Sequence, residues 1–288
     1  MSASRPAARA PRDIVWTSRG WVNGSTPLIG AADLALQHGF GLFETLRAYG
    51  GRVFRPDEHF RRLERTARTF RIRLPLDAQT FREACAELLE AARRPDARVR
   101  LTVAAGPPPL AVLQALPLAA PERGQYARGV TLWPAPFCRN TRGVLSGHKT
   151  INYLDNYWAR AEANRRGHFE ALMLNERDEV AEGTRANVFW VKDGELVTPS
   201  LDTGILEGVT RTVLIGIARE GGRRVREART GVAELLAADE AFLASTIVEV
   251  LPVVAIGRRR IGAGRPGPVA KRLRAAFARR VAAELAAR

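Results

Sequence analysis

Lysine is scarce in this sequence, and its scarcity narrows the search for a reactive amine. The 45 lysine and arginine residues include only Lys149, Lys192 and Lys271 as lysines, which leaves 45 − 3 = 42 arginines. Lys192 stands beside a predicted hairpin turn and Lys271 lies in an arginine-rich helical stretch, so solvated surface charge explains both. Lys149 lies in a polar loop directly before a predicted helix. On position alone a structural role for it is still the commoner case.

Other absences exclude whole classes of protein. Two cysteines, Cys85 and Cys138, cannot form a disulfide framework in a chain of 288 residues, so we expect a reducing, cytoplasmic location. The sequence contains neither GxxxxGK[ST] nor GxGxxG, the fingerprints of the P-loop and of dinucleotide binding. Its four histidines are dispersed, and no cluster with metal-ligand spacing is found. No apolar run is long enough to cross a bilayer, so no membrane association is expected.

The net charge of +15 leaves a second class of function open. A basic chain can bind nucleic acid, anionic lipid or anionic small molecules. Here the arginines are scattered among acidic residues along the whole length and form no stripe with interleaved aromatic residues. A general bias toward arginine explains this pattern, and a nucleic-acid-binding protein without catalysis stays as the distant alternative.

The order of predicted elements indicates a mixed α/β (α+β) chain of two domains. Residues 1–13 read as a disordered tail, 14–120 as a small N-terminal α/β domain, 121–129 as a polar linker and 130–288 as a larger C-terminal domain. The Gly50-Gly51 pair predicts a hairpin, and Asp57 is predicted to cap the helix that follows. A second helix is predicted from about Asp77 to Arg94.

A stretch rich in glycine precedes another predicted helix. Residues 204–211, GILEGVTR, place Val209 and Thr210 at the start of an apolar helix. A helix N-terminus offers free backbone N–H groups and a favourable dipole to a phosphate. An ordinary loop entering a helix explains the same pattern, so by itself this observation leaves both interpretations open.

Six segments together resemble one family. They are HGFGLFETLR (38–47), EHFRRL (58–63), HKTINYLDN (148–156), EALMLNERDEVAEGTRANVF (170–189), SLDTGILEGVTR (200–211) and STIVEVLPV (245–253). In this order and at this spacing they resemble the class IV pyridoxal-5'-phosphate (PLP) enzymes, from about Trp21 onward. That family includes branched-chain aminotransferases, D-amino-acid aminotransferases and 4-amino-4-deoxychorismate lyases.

The resemblance implies a fold and a cofactor site. The fold would be the two-domain PLP fold type IV, like that of D-amino-acid aminotransferase, and the enzyme a homodimer. Lys149 would carry PLP as a Schiff base and move the substrate proton. The other implied cofactor ligands are Glu182 at the pyridine nitrogen, Tyr153 at the 3'-oxygen, and Arg62, the N–H groups of Val209 and Thr210, and the Thr246 hydroxyl at the phosphate.

The resemblance also guides the choice of reaction. Phe43 and Ala105 stand where D-amino-acid enzymes carry a tyrosine and an arginine, which counts against that activity. Thr-Ile-Asn-Tyr follows Lys149 where branched-chain enzymes usually have Gly-Gly-Asn-Tyr. HGFGLFETLR, ARVRLTVAAG, TPSLDTGILEGVTR and EVLPV together most resemble the bacterial aminodeoxychorismate lyases. The resemblance therefore implies that lyase activity, with an anionic small-molecule substrate and with Phe43 and Arg100 as substrate contacts. A branched-chain-type L-amino-acid aminotransferase that uses 2-oxoglutarate is the alternative.

Overall fold

The computed structural model describes residues 12–287, which form two compact units, one ending at Leu118 and the other beginning at Ala119. The predicted mixture of α and β structure is confirmed. The predicted disordered tail, residues 1–13, lies outside the described residues except for its last two.

The first unit is built on an antiparallel sheet of six strands in the order β2-β1-β6-β5-β3-β4. The Gly50-Gly51 turn joins β3 and β4, as predicted, and brings Tyr49 opposite Arg52. The strands are β1 (Ile14–Thr17), β2 (Gly20–Asn23), β3 (Gly41–Tyr49), β4 (Arg52–Val53), β5 (Ala97–Ala104) and β6 (Leu110–Leu116). The helices are α1 (Leu34–His38), α2 (Pro56–Thr69) and α3 (Ala78–Ala91).

One face of this sheet is covered by α2 and α3. Alternate residues of β3, Leu42 and Leu46, point into the core that the helices close. Phe60 of α2 stacks on Phe81 of α3 with the ring centroids 5.3 Å apart. The alternate residues of β3 and β5, among them Phe43, Arg47 and Arg100, lie on the opposite face of the sheet.

The second unit contains nine strands in a mixed sheet. Their order is β12-β11-β10-β13-β14-β7-β8-β9, with β15 paired to β14. The strands are β7 (Val130–Arg139), β8 (Glu170–Asn175), β9 (Val180–Gly183), β10 (Asn187–Lys192), β11 (Glu195–Pro199), β12 (Val225–Ala228), β13 (Glu240–Ser245), β14 (Glu249–Ile256) and β15 (Arg259–Arg260). The helices are α4 (Arg123–Arg128), α5 (Leu154–Arg165), α6 (Val209–Glu220), α7 (Val232–Leu236) and α8 (Pro268–Ala286), and a 3-10 turn spans Leu201–Thr203.

An extra pairing closes six of these strands into a ring. β9 pairs with β10 through Glu182 and Asn187, so the path from β10 through β13, β14, β7 and β8 returns to its start. Trp190 of β10 is fully buried inside the apolar cluster that this ring encloses. The ring therefore fixes the end of β9, where Glu182 lies, against the start of β10.

Two local predictions differ from the structure. Residues 121–129, predicted as a linker, contain helix α4, whose Tyr126 donates a hydrogen bond to the carbonyl of Val248 at 3.1 Å within the second unit. Asp57 does not cap α2. The helix begins at Pro56, and Asp57 sits inside its first turn with Oδ1 accepting from Arg82 Nη1 at 2.7 Å. Pro56 explains the shift because proline is favoured at the first helical position.

Among the described residues, no helix is both long and apolar enough to cross a membrane.

Candidate active site

Lys149 lies in the loop between β7 and α5 in the second unit. The loop runs beside the 204–208 segment: Gly204 has φ +83°, and a Cβ placed there would lie 2.9 Å from Ser146 Oγ. A Cβ placed at Gly147 would lie 3.8 Å from the carbonyl oxygen of Ile205, an ordinary contact distance. The Lys149 side chain is half-buried. Partial burial lowers the pKa of the neighbouring His148 below its ordinary value, so the His148 imidazole is mostly neutral at pH 7. The lysine loop and the glycine-rich loop are therefore in contact.

Glu182 is a buried carboxylate at the end of β9, with 5% of the residue exposed. Its Oε2 accepts from Asn187 Nδ2 at 3.0 Å and from the Leu206 N–H at 3.2 Å. Its Oε1 lies 3.2 Å from Arg139 Nη2. A buried carboxylate is stable in its charged form only when donors and countercharge surround it, and this one has both.

Tyr153 is anchored next to this carboxylate. It precedes α5, and its hydroxyl donates to the carbonyl of Thr184 at 2.6 Å, two residues beyond Glu182. Burial and the negative charge of Glu182 raise the pKa of Tyr153 to about 12. The phenol therefore stays protonated at physiological pH and remains a hydrogen-bond donor.

The N-terminus of α6 meets the predicted requirement for an anion site. Gly208 is its N-cap and no side chain caps the first turn. In the described part of the chain no acceptor is recorded for the N–H groups of Val209 and Thr210, both of which are buried. A Cβ at Gly208 would lie 2.1 Å from Asn187 Oδ1, so only glycine allows α6 to begin this close to the Glu182 network.

Thr246 lies at the same end of the second unit. It follows β13, whose Ala244 pairs with Asn187 of β10. Its side chain is half-buried in the turn before β14. Lys149, Tyr153, Glu182, the start of α6 and Thr246 are thus linked through contacts within one unit, and their roles toward the cofactor stay predictions.

Arg62 belongs to the first unit, where it forms a buried ion pair. Its Nε and Nη2 donate to the two oxygens of Glu44 at 2.8 and 2.7 Å, and His59 Nδ1 lies 2.9 Å from Glu44 Oε2. Burial alone would raise the pKa of Glu44, but the charge and hydrogen bonds of Arg62, together with His59, hold it well below its usual range. The bidentate pair fixes the orientation of the guanidinium that the sequence predicts to bind phosphate.

Phe43 and Arg100 lie together on the face of the first-unit sheet opposite α2 and α3. The Arg100 guanidinium carbon is 4.1 Å from the centroid of the Phe43 ring, and Arg100 Nε donates to Thr102 Oγ1 at 3.2 Å. Phe43 is buried and Arg100 is half-buried. The two residues predicted to contact substrate are therefore direct neighbours.

Several residues of this arrangement were not singled out from the sequence. Arg139 is one of 42 arginines, and nothing in its local sequence distinguishes it. Asn187 lies within the matched segment 170–189, but its contact with Glu182 arises from the β9–β10 pairing, which closes the ring. Glu44 lies within the segment 38–47, and its burial beneath α2 could not be read from that segment alone.

The chain is similar over most of its length to proteins of one family. The profile described as "Amino-transferase class IV" matches residues 41–256. A putative branched-chain-amino-acid aminotransferase of Methanocaldococcus jannaschii is 32% identical over 276 residues, covering 91% of this chain and 94% of that protein. The aminodeoxychorismate lyase of Bacillus subtilis is 31% identical over 263 residues, covering 84% and 86%. A branched-chain amino acid aminotransferase from Thermobaculum terrenum, solved in its PLP form, superposes with a TM-score of 0.84 at 27% identity, covering 95% of each chain.

The Glu44–Arg62 pair gives a testable pH dependence. Glu44→Gln keeps the shape of the side chain but leaves Arg62 buried without its countercharge, so we expect a loss of about 3 kcal/mol in the free energy of unfolding at pH 7. The pKa of Glu44 is lower in the folded protein than in the unfolded chain. The stability that Glu44 contributes is therefore fully present above pH 4.5, its ordinary pKa, and is lost as the pH falls from 4.5 toward the folded-state pKa. Urea unfolding at pH 7 and pH 3 should show the penalty shrinking at the lower pH.

Glu64→Gln on the exposed face of α2 is the matched control, with an expected change within about 0.5 kcal/mol. A Glu44→Gln penalty of the same size at both pH values would contradict the ion-pair account.

Proposed function

Because the chain belongs to the amino-transferase class IV family, whose members use pyridoxal phosphate, we propose that it is a 4-amino-4-deoxychorismate lyase. The reaction releases p-aminobenzoate and pyruvate from a substrate that carries two carboxylates on and beside a six-membered ring. The observation that favours this substrate is the concentration of arginine on the face of the first-unit sheet opposite α2 and α3.

Three arginines share that face. Arg47 on β3 is directly opposite Arg98 on β5, and Thr45 is opposite Arg100, so the three side chains lie on one side of the sheet. All three are half-buried. Like charges directly opposite each other destabilise a strand pair, and none of the positions of β3, β5 and β6 on this face is acidic. An anionic ligand would offset this positive charge.

Aromatic rings accompany the arginines. Besides the Arg100–Phe43 contact, the Arg47 guanidinium carbon lies 4.5 Å from the centroid of the Tyr49 ring. Planar guanidinium groups can bind carboxylates through two hydrogen bonds, and the Phe43 ring holds the Arg100 guanidinium in place. This face therefore suits a dianion such as aminodeoxychorismate, and the 2-oxoglutarate of the alternative aminotransferase activity is a dianion as well.

Two features of the second unit are suited to binding PLP. The first turn of α6 has uncapped N–H groups suited to a phosphate dianion, and Glu182 is held in its charged form beside Tyr153. Lys149 would hold the cofactor, Glu182 would bind its ring nitrogen, and Tyr153 its 3'-oxygen. Arg62, Val209, Thr210 and Thr246 would bind the phosphate. When bound, the cofactor withdraws electrons from the amine-bearing carbon of the substrate.

The chain's own groups then carry the proton. Lys149 removes the proton from the amine-bearing carbon, the bond between the ring and the enolpyruvyl oxygen breaks, and enolpyruvate leaves with that electron pair. Protonation of enolpyruvate gives pyruvate. The six-membered ring has then lost one proton and the enolpyruvyl group, and it is aromatic. No oxidant or second substrate is consumed. Tyr153 stays protonated because its pKa is raised to about 12. Its single O–H, which here donates to the Thr184 carbonyl, would turn to the 3'-oxygen when the cofactor is bound.

A branched-chain-type L-amino-acid aminotransferase that uses 2-oxoglutarate is the second candidate. Its support is the similarity to the Methanocaldococcus jannaschii protein and to the Thermobaculum terrenum structure, which extends over more of the chain than the similarity to the lyase. The same cofactor residues serve both reactions, since each begins with removal of a proton from the amine-bearing carbon.

We also propose a homodimer working in the cytoplasm. Two exposed aromatic residues of α5, Tyr157 and Trp158, lie beside the exposed Leu154 and form an apolar stripe at helical spacing. Both cysteines are free, which suits a reducing compartment. Light scattering of the holoenzyme should give twice the mass of one chain, whereas a single-chain mass would refute the dimer.

A lyase, unlike an aminotransferase, forms its products without a keto-acid acceptor. The PLP-loaded enzyme given aminodeoxychorismate, and no keto acid, should release p-aminobenzoate and pyruvate in equal amounts, and Lys149→Ala should release neither. Arg100→Gln should raise KM about tenfold or more, because a charge-assisted hydrogen bond is worth about 1.5–3 kcal/mol.

Arg61→Gln on the exposed face of α2 is the control and should leave KM unchanged. If no product forms while L-leucine and 2-oxoglutarate yield glutamate, the enzyme is the aminotransferase. If neither reaction occurs, both proposed activities fail.

A further inference from the structure

Arg139, the last residue of β7, connects three parts of the second unit. Its Nη2 lies 3.2 Å from Glu182 Oε1, and its Nη1 donates to the carbonyl of Gly204 at 3.4 Å. The Glu182 side chain is 7% exposed and that of Arg139 is 21% exposed. One guanidinium group therefore joins the end of β7 to the end of β9 and to the glycine-rich loop.

Arg139 places a positive charge next to Glu182, whereas the other donors to this carboxylate are neutral. Asn187 and the Leu206 N–H provide dipoles, whereas a carboxylate this deeply buried takes up a proton unless a positive charge offsets the loss of water. A protonated Glu182 could not keep a ring nitrogen protonated. The charge on Arg139 also reaches Tyr153, whose pKa it lowers against the larger raising effect of burial.

A third donor of Arg139 has no acceptor among the described residues. Its Nε is buried and, in that part of the chain, makes no hydrogen bond. Leaving a buried donor unsatisfied costs about 1–3 kcal/mol, and native structures rarely do so without a ligand or water. The Nε group therefore still requires an acceptor, which bound water or a ligand would supply.

We propose that Arg139 is a positioning residue of the cofactor site, which keeps Glu182 ionised and oriented toward the cofactor's ring nitrogen. This inference rests on the proposed role of Glu182. It differs from a purely structural role, in which Arg139 would only fasten the Gly204 loop to β7.

The test uses the visible absorbance of the PLP-loaded enzyme as a function of pH. Removing the positive charge in Arg139→Met should raise the midpoint of the pH-dependent change in visible absorbance by about one unit, since Glu182 then loses a countercharge that acts through an effective dielectric of about 20. The variant should also bind PLP at least tenfold more weakly. Arg139→Lys keeps the positive charge. Its pH midpoint should therefore lie close to the wild-type value, and its affinity for PLP should lie between those of the wild type and Arg139→Met.

Two further variants separate the proposal from a structural role. Arg226→Met removes an arginine that pairs with Glu234 at 2.6 Å elsewhere in the second unit, and it should change neither the midpoint nor the PLP affinity. In the double variant Arg139→Met/Glu182→Gln, the midpoint should match that of Glu182→Gln alone, because Arg139 acts through Glu182.

The outcomes distinguish this proposal from the proposed function. Wild-type protein that binds no PLP would refute the cofactor residues as a set. Wild-type protein with a normal visible band, together with an Arg139→Met variant of unchanged midpoint and PLP affinity, would refute only the role of Arg139. Additive effects in the double variant would also overturn it, since they would mean that Arg139 acts independently of Glu182.

Discussion

The second unit depends on the compensation of one buried negative charge. Glu182 lies inside the rim of a closed ring of strands, where an unpaired carboxylate would be protonated. Its three donors come from separate segments: Arg139 from β7, Asn187 from β10 and the Leu206 N–H from the loop before α6. Satisfying the carboxylate therefore fixes the positions of all three segments. The pairing of β9 with β10 is the structural condition for this arrangement.

Other parts of the site follow from the same constraint. The loop that donates to Glu182 continues into α6, so holding Leu206 also places the uncapped first turn of that helix. Tyr153 is bound to Thr184, just past Glu182, and this brings the start of α5 and the preceding lysine loop to the same end of the unit. In the first unit, Glu44 provides a comparable countercharge and holds Arg62 in a fixed orientation. Glu182 and Arg62 are therefore each held in orientation by a charged partner within their own unit.

Much of the fold was predictable because local patterns agree with it. The Gly50-Gly51 hairpin and the helix over Ala78–Ala91 follow from turn chemistry and apolar spacing. Residues 121–129 look like a linker because they are polar, but tertiary packing through Tyr126 makes part of them helical. Lys149 could be singled out because lysine is rare. Arg139 could not, because its role depends on strand pairing between segments that are distant in sequence, and arginine is abundant throughout the chain.

The measurement that tests the central claim most directly is the location of the covalent link to PLP. The holoenzyme would be reduced with borohydride, digested and mapped by mass spectrometry. Three lysines make the outcome unambiguous: the account predicts the PLP adduct on Lys149, with Lys192 and Lys271 unmodified. An adduct on either of those two lysines, or none on a protein that binds PLP, would contradict the account.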